Sequence, residues 1–238
     1  MASSFLIFLT AAFGAEVLGT IVGFGSSTIL VPVATVFFDI KTAIGLVGLF
    51  HFFGVAFKGF LWRRSVNWRI VASFASLGVL FSFLGAYLIA YLPAEIVLRS
   101  LGVFLVIYSL YSLTGHRLTF PPKGWLVVGA GGLDGFLAGL IGTAGALRTA
   151  FLSSFNLQKN EFLGTSFAVA FFVDLTRVAT YWGSGVLEFD LGVWSVILAV
   201  AVAGSLVGRK LVFKLHRETF YKAVYLALLL AGVKFILG

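Results

Sequence analysis

The chain has 238 residues, of which 60% are hydrophobic and 11% charged, with mean hydropathy +1.07 and no cysteine. A soluble domain carries about 25% charged residues, so this composition excludes a globular water-soluble enzyme, a disulfide-stapled secreted domain and a disordered tail. The +8 net charge comes from 17 Lys and Arg against 9 Asp and Glu; the basic residues lie between apolar runs, which marks membrane loops rather than a nucleic-acid surface.

Apolar runs cover roughly 5–22, 27–38, 42–61, 70–91, 96–113, 124–141, 146–155, 161–182, 191–213 and 219–237. Met1-Ala-Ser-Ser lacks the positive region of a signal peptide, so the first run reads as the first membrane element. Eight runs approach the ~20 residues that a spanning helix needs. The runs 27–38 and 146–155 are too short, and each follows a glycine cluster: Gly23-Phe24-Gly25, then Gly142-Thr143-Ala144-Gly145. A continuous helix over 5–38 would reach ~51 Å against a ~30 Å hydrocarbon layer, so the chain must break there.

Offset by 119 residues, the sequence overlays itself. Gly23 falls on Gly142, Gly45 on Gly164, Phe52-Phe53 on Phe171-Phe172, Lys58 on Arg177 and Gly85 on Gly204. Two related halves, 1–119 and 120–238, are expected, joined near Pro121-Pro122. The basic loops are Trp62-Arg63-Arg64 with Arg69, His116-Arg117 with Lys123, and Arg209-Lys210 with Lys214, Arg217 and Lys222; Glu188 and Asp190 make an acidic loop. If both short runs reverse the chain, all three basic loops share the cytoplasmic side and the halves form an inverted 5+5 repeat. Eight simple spans, a 4+4 arrangement, would put the third basic loop opposite the first two. The fold class is therefore an all-α polytopic membrane protein. Trp62, Trp68, Trp125, Trp182 and Trp194 fall near span ends, where an aromatic belt is expected.

Each glycine break ends one helix and starts a short one whose free N–H groups and positive dipole end favour an anion. Gly23, Gly25, Ser26, Ser27, Gly142, Thr143 and Gly145 are thus candidate substrate contacts, with Thr165 as a further hydroxyl. Arg148 lies in the first turn of the second short run. A cation there is electrostatically misplaced unless it shares an anion, and guanidinium pairs bidentately with oxyanions. Arg177, a further candidate substrate contact, shares a helix face with Asp174 and Tyr181; its pair with Asp174 is either a bundle-tying ion pair or a substrate- or proton-responsive one. Lys58 is expected to reach toward the loop. Asp174, Glu16, Asp134 and His51, ionisable groups within apolar runs, are candidates for proton or cation coupling. No metal-ligand spacing, nucleophile–base set or nucleotide-binding motif appears, so neither an enzyme nor a cofactor is expected.

The segments Gly19-Thr-Ile-Val-Gly23-Phe-Gly25-Ser-Ser-Thr-Ile-Leu-Val-Pro32 and Gly139-Leu-Ile-Gly142-Thr-Ala-Gly145-Ala-Leu-Arg148 resemble the paired motifs of the TauE/SafE family of sulfite and organosulfonate exporters. Asn156–Glu161, Gly164-Thr165-Ser166, Asp174-Leu-Thr-Arg177 and Tyr181 look like a subgroup with arginine at the second break. The resemblance implies a multi-pass protein of the cell membrane, the inner membrane in a bacterium. It also implies transport of a small sulfur-containing or carboxylate anion. The expected mechanism is secondary transport by alternating access between the two breaks, with proton or sodium as possible coupling ion. An anion channel or a cation carrier is the alternative; the expected partners are the small anion and the lipid bilayer, with no nucleic acid, and the oligomeric state is open.

Overall fold

The computed structural model describes residues 2–22, 25–114, 124–188, 190–211 and 218–237. Within them the chain forms ten α-helices: α1 (Ala2–Val22), α2 (Ser27–Ala34), α3 (Ile40–Leu61), α4 (Trp68–Tyr91), α5 (Ala94–Leu113), α6 (Gly124–Ile141), α7 (Gly145–Ser153), α8 (Lys159–Gly183), α9 (Leu191–Leu211) and α10 (Glu218–Leu237). Each expected apolar run becomes one helix. Six of them (α3, α4, α5, α6, α8 and α9) are long and apolar enough to cross a bilayer, while α1 and α10 contribute the shorter apolar stretches Phe5–Ile21 and Leu228–Leu237. The protein is a multi-pass α-helical membrane protein.

The chain turns where local chemistry tells it to. Asp39 caps α3 by accepting from the Lys41 and Thr42 N–H groups, each at 3.1 Å, and the Asn67 side chain accepts from Ile70 N–H at 3.3 Å to start α4. The breaks rest on glycine: Gly25 has φ +90° and Gly142 φ +77°, a region L side chains avoid. Gly23, the basic residues His116, Arg117, Lys123, Lys214 and Arg217, the Lys222 side chain and the Pro121-Pro122 join lie outside what is described.

Helix packing is ordered by small residues, as expected where lipid offers no hydrophobic drive between helices. On α6, Gly131 and Gly135 face the α4 backbone so closely that a Cβ on either would stand 2.7 Å from the carbonyl carbon of Phe74 or Gly78. Gly139 repeats the contact one turn on, 2.6 Å from Ala86 N. Because both partners advance together along the chain, α4 and α6 run parallel. On the far side, Gly204 and Gly208 of α9 abut Glu16 and Thr20 of α1. Beyond these pairs, α3 lies against both α8 and α9, α8 also against α4, and α5 against α10; α2 rests on α1 and α3, and α7 on α6 and α8.

Arg63, Arg64 and Arg209 line one surface basin, so the α3–α4 turn and the C-terminus of α9 lie on the same side of the bundle. Trp68, Trp125 and Trp182 are exposed as a belt requires. Trp62 corrects that expectation: it is buried at 8% exposure, against Phe167 of α8.

Candidate functional site

The two breaks meet. Thr28, in the first turn of α2, and Thr143, in the second break, place their hydroxyls 2.7 Å apart, and Ser27 donates to Thr143 at 3.4 Å. Ser26, the N-cap of α2, is fully buried. These are non-helical ends in a bundle core, where every backbone polar group needs a protein partner.

Arg177 and Tyr181 supply partners for one of those ends. Arg177 donates from Nη1 to the carbonyls of Ala138 at 3.1 Å and Gly142 at 2.8 Å. The Tyr181 hydroxyl donates to Gly139 O. The last turn of α6 is thereby closed by a cation and a phenol, which suits the negative end of its dipole. The same guanidinium holds Asp174, with Nε 2.7 Å from Oδ1. The other oxygen of Asp174 meets Nδ1 of His51 at 2.6 Å.

Arg148 has an acid of its own. Its Nε and Nη2 donate to Oδ2 of Asp134 at 3.1 and 2.8 Å. The anion that a cation in the first turn of α7 requires is therefore supplied within the chain. Asp134, fully buried, sits deep in the bundle. Glu16 and Lys58 form a further buried pair at 2.6 Å, both at 0% exposure, with Ser205 of α9 donating to Glu16 at 2.7 Å. This corrects the expectation for Lys58: its ammonium stays inside, 5.1 Å from the Phe167 ring centre, because the Glu16 carboxylate lies within its reach.

Between the breaks lies a cavity of about 10 Å³, lined by Gly25, His51, Val55, Arg148, Ser166 and Phe167, with Ala170 beside them. All of these residues are buried, and the volume admits about one water. His51 Nε2 has no hydrogen-bond partner, and a Cβ on Gly25 would stand against it. His51 is thus anchored at Nδ1 and free at Nε2, on the wall that Arg148 also forms.

Of the expected contacts, Gly25, Arg148 and His51 converge on this cavity, with Thr143, Ser27 and Gly145 in the adjoining break. Arg177 and Asp174 stand one shell behind it. Glu16 belongs to a separate pair. Thr165 faces elsewhere, accepting from Asn67 N–H at 3.0 Å; its neighbour Ser166 holds the cavity wall instead. Ser166, Ala170 and Asp174 recur every four residues on one face of α8, and His51, Val55, Lys58 and Trp62 share one face of α3 at spacings of four, three and four.

The comparisons with known proteins agree with this architecture. A probable membrane transporter protein of Methanocaldococcus jannaschii is 22% identical over 155 residues, covering 59% of this chain and 58% of that protein; the chain thus spans a little over half the length of that curated relative. No solved structure matches. The profile of the sulfite exporter TauE/SafE family matches residues 7–235, nearly the whole bundle from α1 to α10, and the chain belongs to that family of membrane transporters.

Proposed function

We propose that the protein is a secondary transporter that carries a small anion, a sulfite-like or sulfonate or carboxylate species, by alternating access. The observation that carries the reading is that Arg148 and His51, with its unpartnered Nε2, line the same small buried cavity between two broken helices. A guanidinium and an imidazole offer directed donors to an oxyanion, and Ser166 adds a hydroxyl. Val55, Phe167 and Ala170 add apolar lining beside them, which suits an anion with a short carbon body. In the described conformation the cavity, at about 10 Å³, is too small for such a species. That favours a carrier, which must open to bind, over a channel.

An inverted 5+5 repeat is the architecture we assign to it. Exchanging the first five helices with the last five preserves the main packing partners. Thus α1 on α9 matches α6 on α4, and α3 on α9 matches α8 on α4, while α3–α8, α5–α10 and α2–α7 pair across the halves. The shared basin of Arg63, Arg64 and Arg209 supports re-entrant short helices, since eight simple spans would separate those loops.

Charge balance points to proton coupling. Arg148 and Arg177 balance Asp134 and Asp174 around the cavity, and Lys58 balances Glu16 behind it. With Nδ1 hydrogen-bonded to Asp174, neutral His51 offers Nε2 as an acceptor. Protonation turns Nε2 into a donor and adds the one positive charge that a bound monoanion balances. One proton would then travel with one anion.

Uptake of labelled sulfite, short sulfonates and short carboxylates into proteoliposomes tests the reading. Saturable uptake of one of these, accompanied by one proton per anion and reduced at least tenfold by Arg148→Ala, is expected. Anion binding left intact in Arg148→Ala would overturn it.

A further inference from the structure

The side with three exposed arginines carries a broad concavity. It has a volume of about 550 Å³ and is lined by Trp62, Arg63, Arg64, Ser65, Asn160 and Arg209. One inter-helix turn and the ends of two further helices meet there. Arg63 and Arg64 come from the α3–α4 turn, Asn160 from the start of α8 and Arg209 from the end of α9. A concave surface with three guanidinium groups and no carboxylate in its lining raises the local concentration of small anions.

One aromatic contact links this basin to the cavity. Trp62 lines the basin, and its ring meets the Phe167 ring edge-on, 5.6 Å between centres. Phe167 in turn lines the inner cavity. Along α3 the column descends from Trp62 through Lys58 and Val55 to His51; along α8 it descends from Asn160 through Leu163 and Phe167 to Ala170. Trp62, Leu163, Phe167 and Val55 form one buried apolar cluster with Ala170 between the two concavities, and the neutralised Lys58–Glu16 pair lies beside it. The aromatic pair is held by a cation at each end. Arg209 stacks over Trp62 at 5.5 Å, and Lys58 stands 5.1 Å from Phe167. An anion that engages Arg209 competes with the contact that keeps Trp62 down.

We propose that the basin is the vestibule through which the anion reaches the inner site from the basic-loop side, and that the Trp62–Phe167 pair is the gate between them. The burial of Trp62 follows from this. A tryptophan at a span end belongs in the aromatic belt, yet this one is turned inward onto Phe167, where it seals the path. The inference rests on the transporter reading given above, but access to the cavity can be measured without knowing what is carried.

The chain has no cysteine, so Ala170→Cys provides a single reporter on the cavity wall. Its reaction with membrane-impermeant methanethiosulfonate reagents, one anionic and one cationic, is to be timed from each face of oriented vesicles. With the gate intact, reaction is slow from both faces. Adding Trp62→Ala or Phe167→Ala should accelerate labelling at least tenfold from the basic-loop face and leave the opposite face unchanged. Phe167→Leu removes the ring with less loss of packed volume, and carries the test if either alanine variant fails to fold. Replacing Arg63, Arg64 and Arg209 with Gln in a gate-opened background should slow the anionic reagent several-fold relative to the cationic one. No acceleration in a folded gate variant, or acceleration from the opposite face, overturns the gate. An unchanged ratio of anionic to cationic rates overturns the vestibule. Loss of the transporter reading would appear separately, as anion binding that survives Arg148→Ala.

Discussion

His51 Nδ1 and Asp174 Oδ2 lie 2.6 Å apart, joining the middle of α3 to the middle of α8 across the two halves of the chain. The bond fixes which imidazole nitrogen is committed to the protein and leaves Nε2 to the cavity. If His51 carries the coupled proton, uptake should rise as the pH is lowered and the imidazole gains its proton. His51→Gln should flatten that profile and abolish proton movement, while retaining some anion binding through Arg148. The measurement is anion uptake against pH, with internal pH followed in the same vesicles. A His51→Gln variant with the pH profile of the parent would assign coupling to another group.

The ten helices and two breaks were legible in the sequence because each depends on local terms: a run of apolar residues, or a glycine where φ turns positive. Arg148 and His51 were legible too, since an ionisable group in an apolar run has few places to go. What local reading could not supply was pairing. Arg148 invited an external anion, but the chain folds Asp134 of α6 against it, fourteen residues back and across a break. Lys58 looked free to reach the loop until Glu16 arrived from α1, and Arg177 turned to the carbonyls that a broken α6 leaves open. Thr165 and Ser166 are adjacent hydroxyls, and only the placement of α4 against α8 decides which of them faces the cavity. Trp62 fits the belt by position and leaves it because Phe167 lies opposite.

The Glu16–Lys58 pair should behave as a structural unit. Both groups are fully buried, so removing one leaves an uncompensated charge, at about 3–5 kcal/mol. Lys58→Met and Glu16→Gln should each lower thermal stability by that order. The double variant should lose much less than the sum, because no charge is stranded. Thermal denaturation of the four proteins in detergent measures the coupling; additive losses would show that the two side chains do not interact. Transport by a folded double variant would separate the pair from proton coupling.

Glycine on α6 should divide sharply by face. At Gly135 a Cβ would press into the α4 backbone, which cannot move aside as a side chain can. Gly135→Ala should therefore destabilise by about 1–3 kcal/mol, the usual cost of overpacking. Gly129, on the same helix, has nothing within 4 Å of its Cβ position, and Ala is the better helix former by up to about 1 kcal/mol. Gly129→Ala should be neutral or stabilising. Equal melting shifts for the two variants would mean that the α4–α6 contact is not close.

Asp134 gives a prediction whose sign follows from its geometry. Its Oδ2 takes both the Nε and the Nη2 donors of Arg148, so a substrate anion must share or displace it. Asp134→Asn removes that competitor and one negative charge beside the cavity. The empty variant should be less stable, because Arg148 is left without its acid. Anion affinity should rise, by about tenfold if 1.4 kcal/mol of repulsion is relieved. The two effects combine in a melting experiment: at equal anion concentration, the ligand-induced shift of Asp134→Asn should exceed that of the parent, since stabilisation grows with the ratio of ligand to Kd. If affinity falls instead, Asp134 serves chiefly to orient the guanidinium. Calorimetric titration of both proteins with the transported anion distinguishes the two roles.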